Sequence, residues 1–414
     1  MRGRGQMTQR TCCGGRRSAA KWSTAIKIKI MLFHPSPRCC LLWKSLAGWR
    51  TWRSWLSSLH SSSVSAHSGP GSLDGSTRLP SDSTDKVPHT PVMLKEVLHY
   101  LDIQQGQVVL DMTFGGGGHT KAILSMVPEV QVLALDRDPT AISLAEKLAK
   151  ETSGRVTPLL GRFSELEVLL SDLKVKPGSV DAVLLDAGCS SMQMDQAERG
   201  FSLSKDGPLD MRMDGDRYPE MPSAADVVDT LDRQALASIL TAYGEERHAR
   251  KIASAIVEAR RISPITRTQQ LANVVAGSLP AAVVYARKDR LSRRAHIATK
   301  TFQALRIFVN DELNELHAGL RAAREALRPG GRLCVITFHS LEDRLVKRFL
   351  RGHDLSNLDQ QHFSPREQGL WKERSAPENA HWLPLRRKVI TPEKDDVKDN
   401  PRGRSAKLRA ALRR

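Results

Sequence analysis

Four consecutive glycines, Gly115, Gly116, Gly117 and Gly118, separate the stretch Val108-Val109-Leu110-Asp111-Met112-Thr113-Phe114 from His119-Thr120. The pattern is an apolar strand with an acid at its end, a turn without side chains, and the start of a helix. Such a turn lets the backbone approach a ligand with no Cβ in the way. Three ligand classes use it. A triphosphate-binding loop closes on Gly-Lys-Ser/Thr, and His119-Thr120 lacks the lysine. A dinucleotide site is harder to set aside, because Asp136 ends the next apolar run where a ribose-binding acid belongs. Asp111 argues against it: a carboxylate repels a pyrophosphate and favours a cation. S-adenosylmethionine is a nucleoside with an ammonium, a sulfonium and no phosphate. Asp111, the glycine turn and Asp136 together favour that ligand. The competing structural roles are a helix cap for Asp111 and a turn acid for Asp136 in Asp136-Arg137-Asp138-Pro139.

A second polar cluster follows the apolar run 180–185: Asp186-Ala187-Gly188-Cys189-Ser190-Ser191-Met192-Gln193. In open parallel sheets ligands lie beyond the carboxyl ends of the strands, so Asp186, Ser190, Ser191 and Gln193 are expected to face the cleft, the alternative being a plain connecting loop. Cys189 has no nearby His or Lys to activate it and reads as a small buried thiol rather than a nucleophile.

These clusters need a scaffold, and the chain alternates as one requires. Apolar runs at 107–112, 130–135, 155–160 and 180–185 are separated by amphipathic stretches at 120–126, 140–150 and 164–170. Strand, helix, strand, helix predicts an α/β doubly wound parallel sheet. The alternation stops between 194 and 293, where helical periodicity appears at 232–261 and 268–276 and predicts a helical insertion. It resumes with one long helix at 296–327, the turn Arg328-Pro329-Gly330-Gly331, a strand at 332–338 and a helix at 340–351. A late β-rich run is expected at 387–390, and basic helices at 344–351 and 402–414.

The net charge of +18 is unevenly placed. Twelve Lys and Arg residues occur up to Arg53, two thirds of that net charge, and the first acid is Asp74. A Ser- and Arg-rich segment without carboxylates predicts a mitochondrial targeting sequence over 1–60, against the alternative of a basic tail that touches nucleic acid directly. A Ser-, Gly- and Pro-rich linker follows at 61–88. No apolar run reaches membrane-spanning length, since Lys27 and Lys29 break the run 26–33. Of six cysteines, Cys12, Cys13, Cys39 and Cys40 fall in the leader; the remaining Cys189 and Cys334 cannot build a disulfide framework or a zinc site.

Several long motifs together resemble the bacterial small-subunit rRNA cytosine-N4-methyltransferases (RsmH, formerly MraW), and more closely their mitochondrial branch. They are His89-Thr90-Pro91-Val92-Met93-Leu94-Lys95-Glu96-Val97; the glycine turn through His119; Ala197-Glu198-Arg199-Gly200-Phe201; Asp206-Gly207-Pro208-Leu209-Asp210-Met211-Arg212-Met213-Asp214; Tyr243-Gly244-Glu245-Glu246; Thr337-Phe338-His339-Ser340-Leu341-Glu342-Asp343-Arg344; and Asn400-Pro401-Arg402-Gly403-Arg404-Ser405-Ala406-Lys407-Leu408-Arg409. The resemblance implies a class I, Rossmann-like methyltransferase core at 89–193 and 295–414, with a helical domain inserted at 194–294 that recognises substrate.

It further implies that Gly117, Gly118, His119, Asp136, Phe163, Asp186 and Gln193 contact S-adenosylmethionine, with Phe163 against the adenine and Asp136 on the ribose; Asp111 joins them from the charge argument. The implied substrate is a cytidine of mitochondrial small-subunit (12S) rRNA, within an assembling subunit in the matrix. Asp186 is then the first candidate to take the proton of the acceptor amine, Ser190 and Ser191 position it, and His339 is the second candidate, its alternative being a helix cap. The basic helices 344–351 and 402–414, with Arg260, Arg261, Arg293 and Arg294 of the insertion, are candidates for phosphate contacts, the alternative being plain solvated charge. Bacterial members carry proline where this chain has Met192, which puts the rigidity of that loop in question. A nicotinamide dehydrogenase on the same core and an inactive ribosome-assembly factor are the two other classes the sequence admits. No metal is expected, nor a membrane partner, and the oligomeric state is unspecified.

Overall fold

A computed structural model describes residues 91–286, 296–353 and 381–414. The expected targeting segment 1–60, the linker 61–88, His89, Thr90, Arg293 and Arg294 lie outside the described residues.

After helix α1 (Leu94–Leu101), the chain forms β1 (Val108–Asp111), α2 (Gly118–Met126), β2 (Gln131–Asp136), α3 (Pro139–Glu151), β3 (Val156–Leu160), α4 (Leu166–Asp172), β4 (Val180–Asp186) and the short α5 (Ser191–Asp195). A helical layer follows: α6 (Ala224–Thr230), α7 (Arg233–Gly244), α8 (Ala249–Ile262), α9 (Thr268–Gly277), α10 (Ala281–Ala286) and α11 (Thr299–Asn310). Then come α12 (Glu312–Ala326), β5 (Leu327–Thr337), α13 (Ser340–Leu350), β6 (Trp382–Pro384), α14 (Lys394–Asp399) and β7 (Lys407–Arg413).

Among the described residues, seven strands form one sheet in the order β3-β2-β1-β4-β5-β7-β6. Strands β1 to β5 are parallel, and β7 runs antiparallel between β5 and β6. The order reverses between β1 and β4, whose carboxyl ends carry Asp111 and Asp186; a crevice at such a point is where open sheets bind ligands. Both faces are covered, which explains the near-continuous apolar runs. Val109, Val132, Ala134, Ala182, Leu184 and Ile336 pack toward α1, α2 and α3. Their neighbours Leu110, Leu133, Leu135, Val183, Leu185 and Val335 point the other way, into a core shared with Ile239, Ile252 and Leu271 of the helical layer.

Local chemistry sets several boundaries. Asp138 caps α3 by accepting from the Thr140 N–H, with Pro139 at the first helical position. The expected helix 232–261 is two, α7 and α8, broken where Glu245 turns left-handed at φ 48°. The expected helix 296–327 is likewise α11 and α12, broken at Asp311, φ 54°. The turn 328–331 lies inside β5, where the pairing with β4 shifts register between Val180 and Ala182. Residues 402–414 are not a basic helix: a 3₁₀ turn (Pro401–Ser405) leads into strand β7. The run 387–390 makes only an isolated bridge, Ile390 to Leu408. No described helix is long and apolar enough to cross a membrane.

Gly244 ends α7 against α11, where an added Cβ would sit 2.7 Å from the Lys300 carbonyl oxygen, a backbone atom that cannot swing away. Gly244→Ala is therefore expected to lower unfolding stability by about 1–3 kcal/mol, measured by chemical denaturation.

Candidate active site

Asp111 is fully enclosed. One oxygen accepts from the Thr120 hydroxyl at 2.6 Å and the other from the Thr113 N–H at 3.1 Å. Burial raises its pKa, opposed by Thr120 and His119. It thus holds the first turn of α2 to the end of β1, and its influence on a ligand passes through the glycine turn it fixes. Gly117 at φ 75° requires its missing side chain, since a Cβ would meet the Phe114 ring at 2.6 Å; at Gly118 it would meet Pro91 at 2.5 Å. Gly116 is exposed, with nothing within 4 Å of an added Cβ. The backbone approach expected of the turn is available there. His119 is buried, with Nε2 3.1 Å from the Val92 carbonyl and Nδ1 4.0 Å from Asp186. Its pKa is lowered by burial.

Asp136, at the end of β2, accepts from the Gly115 N–H at 2.7 Å and the Asp138 N–H at 2.9 Å. Burial pushes its pKa up to about 6 despite those bonds. Phe163 follows β3 in a 3₁₀ turn and packs on α12, where a Cβ on Gly319 would stand 3.0 Å from it. Asp186 ends β4, its N–H donating to the Thr113 hydroxyl at 2.7 Å. Its Oδ1 is buried without a hydrogen-bond partner. Burial first, then the charges of Asp111 and Glu342, push its pKa up to about 8.

The serine loop is built on a capping box. Ser190 Oγ accepts from the Gln193 N–H at 3.2 Å, and Gln193 Oε1 accepts from the Ser190 N–H at 3.0 Å. The Gln193 amide donates to Asp138 at 2.9 Å and to the Met213 carbonyl. Gln193 therefore lies buried behind the loop and fixes its shape, while Ser191 is partly exposed at the start of α5. Met192 packs against the apolar cluster on the α2 side of the sheet. His339 caps α13, its Nδ1 3.4 Å from the Glu342 N–H and its Nε2 2.9 Å from the Glu342 carboxylate. Burial works to raise the Glu342 pKa, but His339, Arg306 and the Phe338 N–H lower it to about 2.

Sequence reasoning passed over three residues. Asp138 joins α3, Gln193 and Arg199 on one buried carboxylate. Thr113 links Asp111 to Asp186. Arg306 donates twice to Glu312, at 2.7 and 2.8 Å, and lies 3.4 Å from Cys189 Sγ. An acid directly before Pro139 in Asp136-Arg137-Asp138-Pro139 is a helix-start signal that could have found Asp138, but the fold alone reveals the others. Glu312, His339 and Glu342 bring ligand atoms within 4.8 Å of one another, and Arg306 already supplies positive charge there.

The cleft that these strand ends frame carries acids at β1, β2 and β4 and an open glycine backbone at α2. Carboxyl groups whose pKa values burial has raised ionise more readily beside a cation, so this set suits a cationic nucleoside better than a phosphate. Together with a sheet ordered 3-2-1-4-5-7-6 and reversed only at β7 among the described strands, it defines a class I methyltransferase. Comparison narrows the class: residues 86–414 match the MraW methylase family, and the chain belongs to that family. A cattle protein, 12S rRNA N(4)-cytidine methyltransferase METTL15, is 59% identical over 337 residues, covering 78% of this chain and 82% of that one. Its human counterpart of the same name gives the same identity and coverage. The Ribosomal RNA small subunit methyltransferase H of Xanthobacter autotrophicus is 50% identical over 325 residues, 78% of this chain and 87% of its own. Membership in a methylase family removes the nicotinamide-dehydrogenase reading.

Replacing Asp138 by Ala leaves the Arg199 guanidinium without its buried partner and uncaps α3. The expected loss is about 3 kcal/mol of unfolding stability, read from urea melts of the variant and the unaltered protein.

Proposed function

We propose that this protein transfers a methyl group from S-adenosylmethionine to the N4 amine of a cytidine in mitochondrial small-subunit (12S) rRNA. The observation that carries the reading is Asp186 Oδ1, a buried carboxylate oxygen with no partner at the switch point of the sheet. It offers an acceptor where an exocyclic N–H could be held. The names of the relatives supply the substrate class.

In this reading the Gly116 backbone and the N-terminus of α2 receive the cofactor, Asp136 accepts from the ribose hydroxyls, and Phe163 lies against the adenine. Gly117 and Gly118 allow the turn, and Gln193 keeps the serine loop in register. When bound, S-adenosylmethionine supplies an electrophilic methyl group. The residues align the acceptor nitrogen with it, the chief contribution expected for an in-line displacement. A cytosine amine is a weak nucleophile, its lone pair delocalised into the ring. An Asp186 carboxylate accepting its N–H localises that pair, and as the N–C bond forms the proton passes to Asp186. Ser190 and Ser191 border the acceptor. His119 stands 4.0 Å from Asp186 on the α2 side. His339 stands behind as the cap of α13 rather than as the proton acceptor. The base must leave its stack to enter. The helical segment 194–294 would receive the surrounding RNA, the partner being an assembling subunit, and the basic segment 1–60 would direct the chain to the matrix.

Burial lets Asp186 hold its proton up to about pH 8 and Asp136 up to about pH 6. A cation beside them favours the ionised forms. Uptake of S-adenosylmethionine at pH 7 is therefore expected to release protons, and its affinity to rise with pH until Asp186 is fully ionised. Calorimetry in buffers of different ionisation enthalpy checks this; a buffer-independent heat would contradict it. Asp186→Asn is expected to bind the cofactor only as tightly as the unaltered protein does with Asp186 protonated, to lose the rise of affinity with pH that Asp186 supplies, and to lower kcat by roughly 10²- to 10⁴-fold. Nucleoside mass spectrometry of 12S rRNA from cells lacking the protein should show loss of N4-methylcytidine. Unchanged N4-methylcytidine with slowed subunit assembly would instead favour the inactive assembly factor.

A further inference from the structure

The motif Asp210-Met211-Arg212-Met213-Asp214 ends on a fully buried carboxylate that none of the roles above uses. Asp214 lies in the helical segment's leading loop, yet its partners come from the sheet. Its Oδ2 accepts from Arg137 Nη2 at 2.5 Å and from Arg162 Nη2 at 2.9 Å; its Oδ1 accepts from Arg162 Nε at 3.1 Å. Arg217 Nη1 stands 3.7 Å away. Arg137 directly follows Asp136 at the end of β2, and Arg162 directly precedes Phe163 after β3. One carboxylate from the helical segment thus joins the two residues that flank the ribose and adenine contacts.

The surroundings are built to hold it. The Met213 N–H donates to Asn310 at 2.8 Å, and Arg137 donates to the Asn310 carbonyl at 3.1 Å. Arg137 Nε is buried without a hydrogen-bond partner, so that guanidinium depends on Asp214 and Asn310. Arg162 stacks over the Tyr218 ring at 4.1 Å, and the Tyr218 hydroxyl donates to Glu165 at 2.7 Å. Without the Asp214 charge, the guanidiniums of Arg137 and Arg162 repel each other across the gap between β2 and β3.

We infer that Asp214 is a positioning residue for the cofactor, holding the adenosine end of the cleft through Arg137 and Arg162 and so linking the seating of the helical segment to cofactor affinity. The inference rests on the methyltransferase reading. Linkage is reciprocal: what Asp214 gives to the cofactor site, bound cofactor returns to the loop around Asp214.

The test compares the full-length protein with Asp214→Asn and with Asp210→Asn, which breaks an Asp–Arg pair in the same loop that touches only Arg212. Calorimetry with S-adenosylmethionine and steady-state kinetics with an rRNA fragment supply the readouts. For Asp214→Asn, Kd and KM for the cofactor are expected to rise about tenfold, while kcat and the KM for RNA stay within about twofold. Asp210→Asn should bind like the unaltered protein. Equal cofactor affinity in Asp214→Asn, or an equal loss in both variants, overturns the role of Asp214. No binding by the unaltered protein overturns the methyltransferase reading itself. Should Asp214→Asn not fold, hydrogen exchange on the unaltered protein decides: S-adenosylhomocysteine should slow exchange of the amides at 211–217, and unchanged exchange there overturns the inference.

Discussion

The site depends on one enclosed carboxylate. Asp111 has no exposure to solvent, and it is kept inside by the Thr120 hydroxyl and the Thr113 N–H. Those bonds fix more than the acid. Thr120 belongs to the first turn of α2, so the helix N-terminus is held at the end of β1; Thr113 in turn receives the Asp186 N–H and sets the end of β4. Asp136 closes the figure by accepting from Gly115. Three strand ends are thereby indexed to one turn. The cost of burying three carboxylates near each other appears as raised pKa values, and a cation entering the cleft relieves it.

The helical segment is attached to this frame by polar contacts as well as a shared apolar core. Asp138 receives Gln193 and Arg199, Asn310 receives the Met213 N–H, and Glu245 accepts from Ser340 and Arg344 at the start of α13. Of these only Asp138–Arg199 is a buried ion pair, and such contacts are weak sources of net stability but strongly orientation-dependent. Their placement around the cleft is suited to fixing the angle at which a helical layer meets the strand ends.

How far the sequence disclosed all this follows from what each element buries. Strands β1, β2 and β4 are covered on both faces and read directly as apolar runs. β7 did not, because Ala411 breaks the alternation begun by Lys407, Leu408, Arg409 and Ala410, and a short run of cations, leucines and alanines also suits a basic helix. The breaks at Glu245 and Asp311 occur at left-handed residues other than glycine; Gly244 and Asn310 stand beside them, but the helical periodicity continues on both sides and hides the stop. In the site, the glycine turn and strand-end acids were legible as residue types. Their division of labour was not: Ser190 and Gln193 form a capping box, and Asp111 faces inward. A residue's type shows that it can bond a ligand, while only the fold shows whether that bond is already made.

Strand β7 has a bearing on how the molecule is assembled. It comes later in the chain than every other strand, yet it is paired on both edges, between β5 and β6. Just ahead of it, Gly403 packs against Val92, at the opposite end of the described chain. The sheet therefore cannot be completed before residues 407–413 are available to pair. Folding of this kind is dominated by contacts distant in sequence and is slow for that reason. Until β7 inserts, β5 presents an open edge available for pairing with another strand.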